Sequence, residues 1–276
     1  MTPLALVIVT AAGASAFALA ASLMTHDYSW VDRAWSILPV VYVAELAARA
    51  DLRDPRLDVM AVLVLVWGGR LTYNLARKGG YAGVEDYRWA VLRARMSRWQ
   101  FQLFNLFFIV LYQNAILVVI TLPAWTALQH RSNSYGPLDV VLALAFLACT
   151  VGETVADQQQ WRFQCDKAAQ RSLGRVPDPQ FLQEGLFRYS RHPAYFFEVA
   201  QWWLLFLMGA AAAGSLRQWT VVGAVLLTLL FVGSTRFTEA ITLSRYPEYA
   251  RYQRATSAVV PWPPRRSAGA TSLSTD

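Results

Sequence analysis

The amino-acid sequence predicts an all-α integral membrane protein, a bundle of about seven transmembrane helices with the N-terminus outside and the C-terminus in the cytoplasm. Three observations predict this fold class. The 276 residues are 55% hydrophobic and 16% charged, whereas about a quarter of the residues of a soluble domain are charged. The apolar residues form long runs, and a membrane span needs about 20 of them. The basic residues are concentrated in alternate loops.

The apolar runs give the positions of the spans. The run that begins at Pro3 has no basic segment before it and is apolar throughout, so we interpret it as a first span rather than a signal peptide. Glu45 and Arg49 interrupt the second run, which is the weakest of the set. The predicted spans are roughly 3–24, 34–50, 58–76, 101–127, 138–156, 195–213 and 219–239.

The loop charges give the orientation. Of the 25 Lys and Arg residues, 19 fall in loops on one side and five on the other, and Arg70 lies inside a span. Basic residues accumulate on the cytoplasmic side, so this asymmetry predicts the orientation stated above. The net charge of +7 is therefore interpreted as membrane orientation and contact with anionic lipid headgroups, and no nucleic-acid partner is expected.

Two common kinds of site have no sequence signature here. Cys149 lies in an apolar run and Cys165 in a basic loop, and neither has the spacing of a metal ligand or of a structural disulfide. No metal site is predicted. The sequence also has no Gly-rich dinucleotide fingerprint and no phosphate loop, so helices would have to hold any nucleotide.

Ionisable residues gather at one predicted depth, near the cytoplasmic ends of five spans. An ionisable side chain in lipid is costly unless it is partnered, so such residues are candidates for a functional site. Gln113 and Asn114 lie near the middle of the fourth span, where they form either hydrogen bonds between helices or polar contacts in a substrate pocket. The ionisable layer contains Asp32, Arg33, Arg70, Asp157, His192, Glu198 and Glu239.

The segment that leads into the sixth span has the chemistry of an anion site. Arg188, Arg191 and His192 place three donors before Pro193, which favours a helix start. Helix N-termini attract anions, and Arg makes forked contacts with phosphate. Tyrosine rings can pack on a flat ligand, so the pattern suits a nucleotide-like molecule at the membrane surface. The tyrosines concerned are Tyr189, Tyr195, Tyr246 and Tyr249.

Several short motifs follow one another along the chain. They are Ser-Trp-Val-Asp at 29–32, Trp-Gly-Gly-Arg at 67–70, Glu-Asp-Tyr-Arg at 85–88, Ala-Asp at 156–157, Arg-His-Pro-Ala-Tyr-Phe-Phe-Glu at 191–198, and the Tyr-Gln to Pro-Trp ending. In this order the motifs resemble one family, the bacterial branch of the steroid 5α-reductase-like membrane proteins, often called the DUF1295 family. The resemblance covers roughly residues 28–265 and is best in the last third.

The resemblance implies a seven-helix reductase fold that binds NADPH in its cytoplasmic half and transfers hydride to an activated C=C bond of a lipid-like enone. We expect one membrane domain over residues 1–266, with the cofactor-binding half at about 140–266, and a disordered tail at 267–276. The cofactor residues expected from the motifs and the anion segment are Arg70, Glu85, Asp86, Arg88, Asp157, Arg162, Arg188, Tyr189, Arg191, His192, Tyr195, Glu198, Glu239, Tyr246 and Tyr249.

The catalytic residues follow from the same resemblance. Asp32 occupies the place of the acid that polarises the substrate ketone, and burial would favour the protonated form that this role needs. Trp67 stands in place of a proton-donating tyrosine, which leaves Tyr73 or Tyr87 as the substitute. The family pattern also has Asn and Gly where this chain has Ala194 and Phe197. The predicted substrate pocket contains Trp35, Trp67, Gln113 and Asn114.

Two other functions remain open. Membrane methyltransferases of the isoprenylcysteine or phospholipid type also use an Arg-His-Pro-x-Tyr helix start to hold S-adenosylmethionine, although they are typically shorter and lack the 67–70 and 85–88 segments. A non-catalytic lipid-binding relative is the third hypothesis, and the substitutions at Trp67 and Ala194 favour it. The expected partners are a lipid-like substrate and membrane lipids, and the expected location is a bacterial inner membrane, crossed several times.

Overall fold

The computed structural model describes residues 1–265, so Arg266 and the predicted disordered tail at 267–276 lie outside the described residues. The prediction of an all-α membrane protein is confirmed, because the described residues form helices and no sheet, and six helices are long and apolar enough to cross a membrane. The six are Pro3–Thr25, Pro55–Arg77, Arg98–Gln129, Pro137–Ser172, Pro193–Ala213 and Val221–Arg245. The exact number of spans and their orientation stay predictions.

The helices of the described chain are numbered in order, and the helix Arg98–Gln129 is divided into four parts. They are α1 (Pro3–Thr25), α2 (Trp30–Trp35), α3 (Leu38–Ala48), α4 (Pro55–Arg77), α5 (Tyr87–Arg93), α6 (Arg98–Phe104), a π-helical stretch (Asn105–Tyr112), α7 (Gln113–Val119), α8 (Leu122–Gln129), α9 (Pro137–Ser172), α10 (Pro193–Ala213), α11 (Val221–Arg245) and α12 (Tyr249–Ala255).

The second predicted span, 34–50, is broken into α2 and α3. Pro39 explains the break, because a proline has no N–H to bond the carbonyl four residues earlier and its ring collides with that carbonyl. The carbonyl concerned belongs to Trp35, the residue at which α2 ends. The eleven residues of α3 extend only about 16 Å, about half the thickness of the hydrocarbon layer.

The break between α2 and α3 packs closely on α4. A Cβ atom added to Gly68 would lie 2.5 Å from the carbonyl oxygen of Ser36, so only glycine permits this approach. The Ser36 and Thr72 hydroxyls are 2.7 Å apart, and the Tyr81 hydroxyl donates to the Arg33 carbonyl oxygen at 3.1 Å. The segment that carries Asp32 is therefore held against α4.

A buried ion pair joins the starts of α4 and α9. Arg56 and Asp139 are both buried, and the guanidinium donates to the two carboxylate oxygens at 2.7 and 2.9 Å. The same guanidinium donates to the carbonyl oxygens of Asn133 and Ser134, and the Gly136 N–H donates to Asp139. Because both charges are paired and hydrogen-bonded, this pair fixes the loop before α9.

The chain groups into two compact units. Among the described residues, unit 1 comprises 1–148 and 199–229, and unit 2 comprises 149–198 and 230–265. Unit 2 takes in most of the predicted cofactor-binding half. Asp32 and the predicted substrate pocket belong to unit 1.

Candidate functional site

Asp32 lies in unit 1 on the short helix α2, where its partly buried carboxyl accepts a hydrogen bond from Trp89. The indole Nε1 of Trp89 donates to Oδ2 of Asp32 at 2.7 Å, and the Ser29 hydroxyl makes a further hydrogen bond to the carboxyl. Burial raises the pKa of Asp32 from 3.8 to about 6, although the nearby Arg88 charge opposes the rise. The carboxyl therefore keeps its proton under conditions in which an exposed aspartate is ionised.

The segment at 85–88 contacts the segment that carries Asp32. The order of the motifs along the chain does not predict this contact. The backbone N–H of Tyr28 donates to the Glu85 carboxylate at 3.1 Å. The backbone N–H of Asp86 donates to the Ser29 hydroxyl oxygen at 2.9 Å. Arg88 forms an ion pair with Asp86 at 2.7 Å. Glu85, Asp86 and Arg88, which were predicted to bind the cofactor, thus lie beside the segment that carries Asp32 in unit 1.

The two tyrosines predicted as proton donors lie at the surface of the structure. Tyr73 is 67% exposed and stacks under the Arg77 guanidinium, and Tyr87 is 48% exposed. The hydrogen bond at Asp32 comes instead from Trp89, which the sequence analysis missed. Trp89 is 57 residues from Asp32 along the chain, and no local pattern connects the two.

An aromatic ladder extends from Trp89 along the long helix Arg98–Gln129. Trp89 lies 6.3 Å from Phe104, measured between ring centroids. Phe104 stacks on Phe108 at 4.9 Å, and Phe108 stacks on Tyr112 at 5.4 Å. The spacing of four residues brings successive rings to one side of the π-helical stretch. Phe104 and Phe108 are partly buried and pack against the core of unit 1 that contains Trp89, the hydrogen-bond donor of Asp32.

The predicted pocket residues lie in unit 1, most of them in its interior. Trp67 is fully buried with its ring against Trp202 at 4.9 Å, so it belongs to the packed core. Trp35 is partly buried at the end of α2. Gln113 and Asn114 are buried at the start of α7, and α7 packs against α2, the helix of Asp32.

In unit 2, Glu239 joins two residues of the Arg-His-Pro motif to the C-terminal segment. Arg191 donates to both Glu239 oxygens at 2.6 and 2.9 Å and to the carbonyl oxygens of Gln253 and Thr256. The His192 ring nitrogen lies 3.0 Å from Oε1 of Glu239. The Gln253 side-chain amide donates to Oε2 of Glu239 at 2.9 Å. Four of the five N–H donors of Arg191 are occupied, so this arginine is bound internally.

Backbone hydrogen bonds join the segment 185–192 to the end of the described chain. The N–H groups of Arg191 and His192 donate to the carbonyl oxygens of Ser257 and Ala258 at 2.9 and 3.0 Å. The Trp262 N–H donates to the Tyr189 carbonyl at 2.9 Å. These contacts join the Arg-His-Pro motif to the Tyr-Gln to Pro-Trp ending.

Two arginines of the predicted cofactor set are exposed in unit 2. Arg162 lies on α9 and Arg188 lies in the turn Gly185–Arg188, and both are exposed, as is Tyr189. Gln159, less than one turn before Arg162, accepts a hydrogen bond from the Leu186 N–H at 3.0 Å and so joins α9 to that turn. The two cations therefore belong to elements that are in contact.

The tyrosines of the predicted cofactor set differ in their surroundings. Tyr195 stacks on His192 at 5.1 Å. Tyr246 accepts a hydrogen bond from Lys167 at 3.3 Å, and this contact lowers the pKa of Tyr246. Tyr249 is buried, and burial raises its pKa. Tyr189 is the most exposed of the four at 43%, so it is the tyrosine best placed to stack on a ligand.

The Phe197 ring packs directly on a glycine. The ring covers Gly152, where an added Cβ atom would lie 2.5 Å from it. The phenyl ring at 197 therefore fits because position 152 has no side chain. Of the other predicted cofactor residues, Glu198 is buried, whereas Arg70 and Asp157 are partly buried.

Within residues 1–265, no group of three or more His, Cys, Asp or Glu side chains is placed to hold a metal ion.

Comparison with known proteins identifies the family. A family model described as "Protein of unknown function (DUF1295)" matches residues 17–256. The chain belongs to the DUF1295 family. This DUF1295 chain is also similar to an uncharacterized protein of Schizosaccharomyces pombe, with 37% identity over 251 residues that cover 84% of this chain and 72% of the relative. No solved structure matches. The predicted family is confirmed, and its bacterial branch stays a prediction.

Proposed function

We propose that the protein is a membrane-embedded, NADPH-dependent reductase that reduces an activated C=C bond of a lipid-like enone. The observation that carries the proposal is the carboxyl of Asp32, whose pKa is raised to about 6 and which accepts a hydrogen bond from Trp89. Only a neutral carboxyl donates a hydrogen bond to a carbonyl oxygen, so with a pKa of about 6 the proposed donor is the protonated fraction, which is about one tenth of the protein at pH 7 and grows as the pH falls. A reductase that acts on an enone needs such a donor where negative charge develops on oxygen.

The contacts of Asp32 define its role. An indole N–H only donates, so its bond to Oδ2 favours Oδ2 as the carbonyl oxygen and Oδ1 as the hydroxyl of the neutral acid. The hydroxyl would donate to the enone oxygen, and the aromatic ladder would lie along the hydrocarbon part of the substrate. Donors of this kind commonly contribute a few kcal/mol to lowering a reaction barrier.

The donor set of unit 2 fits a phosphorylated dinucleotide. Arg162 and Arg188 are exposed cations on elements in contact, and Tyr189 offers an exposed ring beside them. These residues would bind the phosphates and stack on a base. Arg191 would act indirectly, because its bonds to Glu239 fix the segment that carries Arg188. NADPH, when bound, supplies a hydride.

The proposal is tested with purified full-length protein in detergent. We expect NADPH, and not S-adenosylmethionine, to raise the melting temperature, and the double variant Arg162→Gln/Arg188→Gln to weaken that effect. The exposed Arg131→Gln, in unit 1, is the matched control. We expect NADPH oxidation on addition of a 3-oxo-Δ4 steroid or a long-chain enone, with Asp32→Asn and Asp32→Ala both impaired. Stabilisation by S-adenosylmethionine alone, or full turnover by both Asp32 variants, would refute the proposal.

A further inference from the structure

Asp86 joins two hydrogen-bond donors of the Asp32 carboxyl. The donors are the Ser29 hydroxyl and the Trp89 indole, and both residues are 4% exposed. The backbone N–H of Asp86 donates to the Ser29 hydroxyl oxygen at 2.9 Å, which leaves that hydroxyl its own proton to donate. The Asp86 carbonyl accepts from the Trp89 backbone N–H at 3.1 Å. One residue thus holds both donors.

The side chain of Asp86 fixes the start of α5. Asp86 is the N-cap of this helix, and its Oδ1 accepts from the Arg88 backbone N–H at 2.8 Å. An N-cap oxygen satisfies a helix donor that has no partner within the helix. Trp89 lies in the first turn of α5, so the cap helps to set the position from which its indole reaches Oδ2 of Asp32 at 2.7 Å.

The same carboxylate pairs with the cation that acts on Asp32. Arg88 donates to Asp86 through Nε at 3.0 Å and through Nη2 at 2.7 Å. Burial is the main influence on the pKa of Asp32, and after burial the Arg88 charge lowers this pKa whereas the Asp86 charge raises it. Asp86 therefore limits the effect of Arg88 on the carboxyl.

Few other charges lie on the helices that pack against α2, the helix of Asp32. These helices are α1, α3 and α7. The sequences of α1 and α7 contain no charged residue. In α3 the ionisable residues are Tyr42 and Glu45, and Glu45 accepts a hydrogen bond from α1 at 2.8 Å. On α2 itself Arg33 is paired with a neighbouring aspartate at 2.5 Å. The segment 86–88 therefore supplies the charges that act on this carboxyl.

We propose that Asp86 is a positioning residue of the candidate site, which holds the donors of Asp32 and opposes the charge of Arg88, and so increases the protonated fraction of Asp32. The resemblance implies cofactor binding by Asp86, whereas its contacts support this role at the acid. The inference rests on the proposed function, because a neutral Asp32 is the donor that the proposed reaction needs.

The test measures the protonation of Asp32 by infrared spectroscopy of the full-length protein in detergent, from pH 4 to pH 8. The C=O stretch of the protonated carboxyl is assigned by its absence from Asp32→Asn. Asp86→Asn removes the charge and keeps the cap, because asparagine is as good an N-cap as aspartate. The Arg88 charge is then unopposed by Asp86, so we expect the titration midpoint to fall by about one pH unit. At pH 7 the protonated fraction would fall about tenfold.

Arg88→Gln should shift the midpoint in the opposite direction, because it removes the cation. The double variant Asp86→Asn/Arg88→Gln should lie between Arg88→Gln and the native protein, since the effect of Arg88 on the carboxyl exceeds that of Asp86. Glu85→Gln is the matched control. It removes the charge adjacent to Asp86 in sequence, and Glu85 is paired with Arg93 at 2.9 Å. We expect it to leave the midpoint unchanged.

An unchanged midpoint in Asp86→Asn, or an equal fall in Glu85→Gln, would overturn the inference. If Asp86→Asn does not fold, the double variant replaces it, because that variant lacks both charges of the pair. A midpoint of the double variant equal to that of Arg88→Gln would then show that Asp86 does not act on Asp32.

The outcome is separable from that of the proposed reductase, because the titration needs neither cofactor nor turnover. A protein that shows the expected shifts and reduces no enone keeps the role of Asp86 at Asp32 and refutes the reductase. A protein that reduces enones while the midpoint stays unchanged in Asp86→Asn does the reverse.

Discussion

Replacing Asp32 with asparagine is expected to stabilise the protein at neutral pH and to change little at acidic pH. Burial raises the pKa of Asp32 from 3.8 to about 6, so the folded state binds more protons than the unfolded state between these values. The free energy of unfolding of the native protein therefore falls as pH rises through that window. A shift of about two units corresponds to about 3 kcal/mol, an upper limit because solvent screens the partly exposed carboxyl.

The assay is unfolding in mixed detergent micelles, measured from pH 4 to pH 8. We expect Asp32→Asn to match the native protein near pH 4 and to exceed its free energy of unfolding by up to about 3 kcal/mol at pH 8. Asp166→Asn removes an exposed carboxyl and serves as the control. A constant difference between Asp32→Asn and the native protein across this range would refute the reasoning about the buried carboxyl.

Three further predictions concern other contacts. Trp89→Phe removes a hydrogen bond that lowers the pKa of Asp32. In the same assay, the pH range over which the free energy of unfolding falls should therefore extend to higher pH than in the native protein. Glu239→Gln leaves a buried guanidinium without its charged partner, which should cost about 3–5 kcal/mol in the free energy of unfolding. Gly152→Ala places a Cβ atom 2.5 Å from the Phe197 ring and should cost about 1–3 kcal/mol, measured as a lower unfolding midpoint.

Each of these has a decisive comparison. For Trp89→Phe, an unchanged pH range would mean that the indole does not act on the Asp32 carboxyl. The control for Glu239→Gln is Glu248→Gln, which makes the same substitution on an exposed side chain and should leave the unfolding midpoint unaltered. The penalty of Gly152→Ala should shrink when Phe197→Ala removes the ring, and additive penalties would show that the two positions do not interact.

Much of the fold could be predicted because apolar runs dictate membrane helices, and five of the seven predicted spans overlap long helices closely along their length. The break in the second span was also readable, because Pro39 removes the bond to Trp35, and Pro123 likewise coincides with the end of α7 at Val119. The π-helical stretch had no such signal. Its register depends on packing against α1, which local sequence does not encode.

The sequence predicted which residues carry unusual chemistry better than it predicted which of them contact one another. The pKa of Asp32 is raised, which is the direction that its predicted role needs, and Arg191 and Glu239 are paired. The segment at 85–88 was predicted to bind cofactor and lies beside Asp32. Pairings between residues 50 or more apart depend on tertiary packing, so a single sequence could not reveal that Trp89 would meet Asp32.

The central claim is that the protein reduces an enone with NADPH while Asp32 holds the substrate oxygen. The most direct measurement uses NADPH carrying deuterium at the transferable position, with a 3-oxo-Δ4 steroid and a long-chain enone as substrates. We predict one deuterium on carbon in the saturated product of at least one substrate, and a much lower yield with Asp32→Asn at equal protein folding. Saturated product without deuterium, or no saturated product from either substrate by folded protein that binds NADPH, would contradict the account.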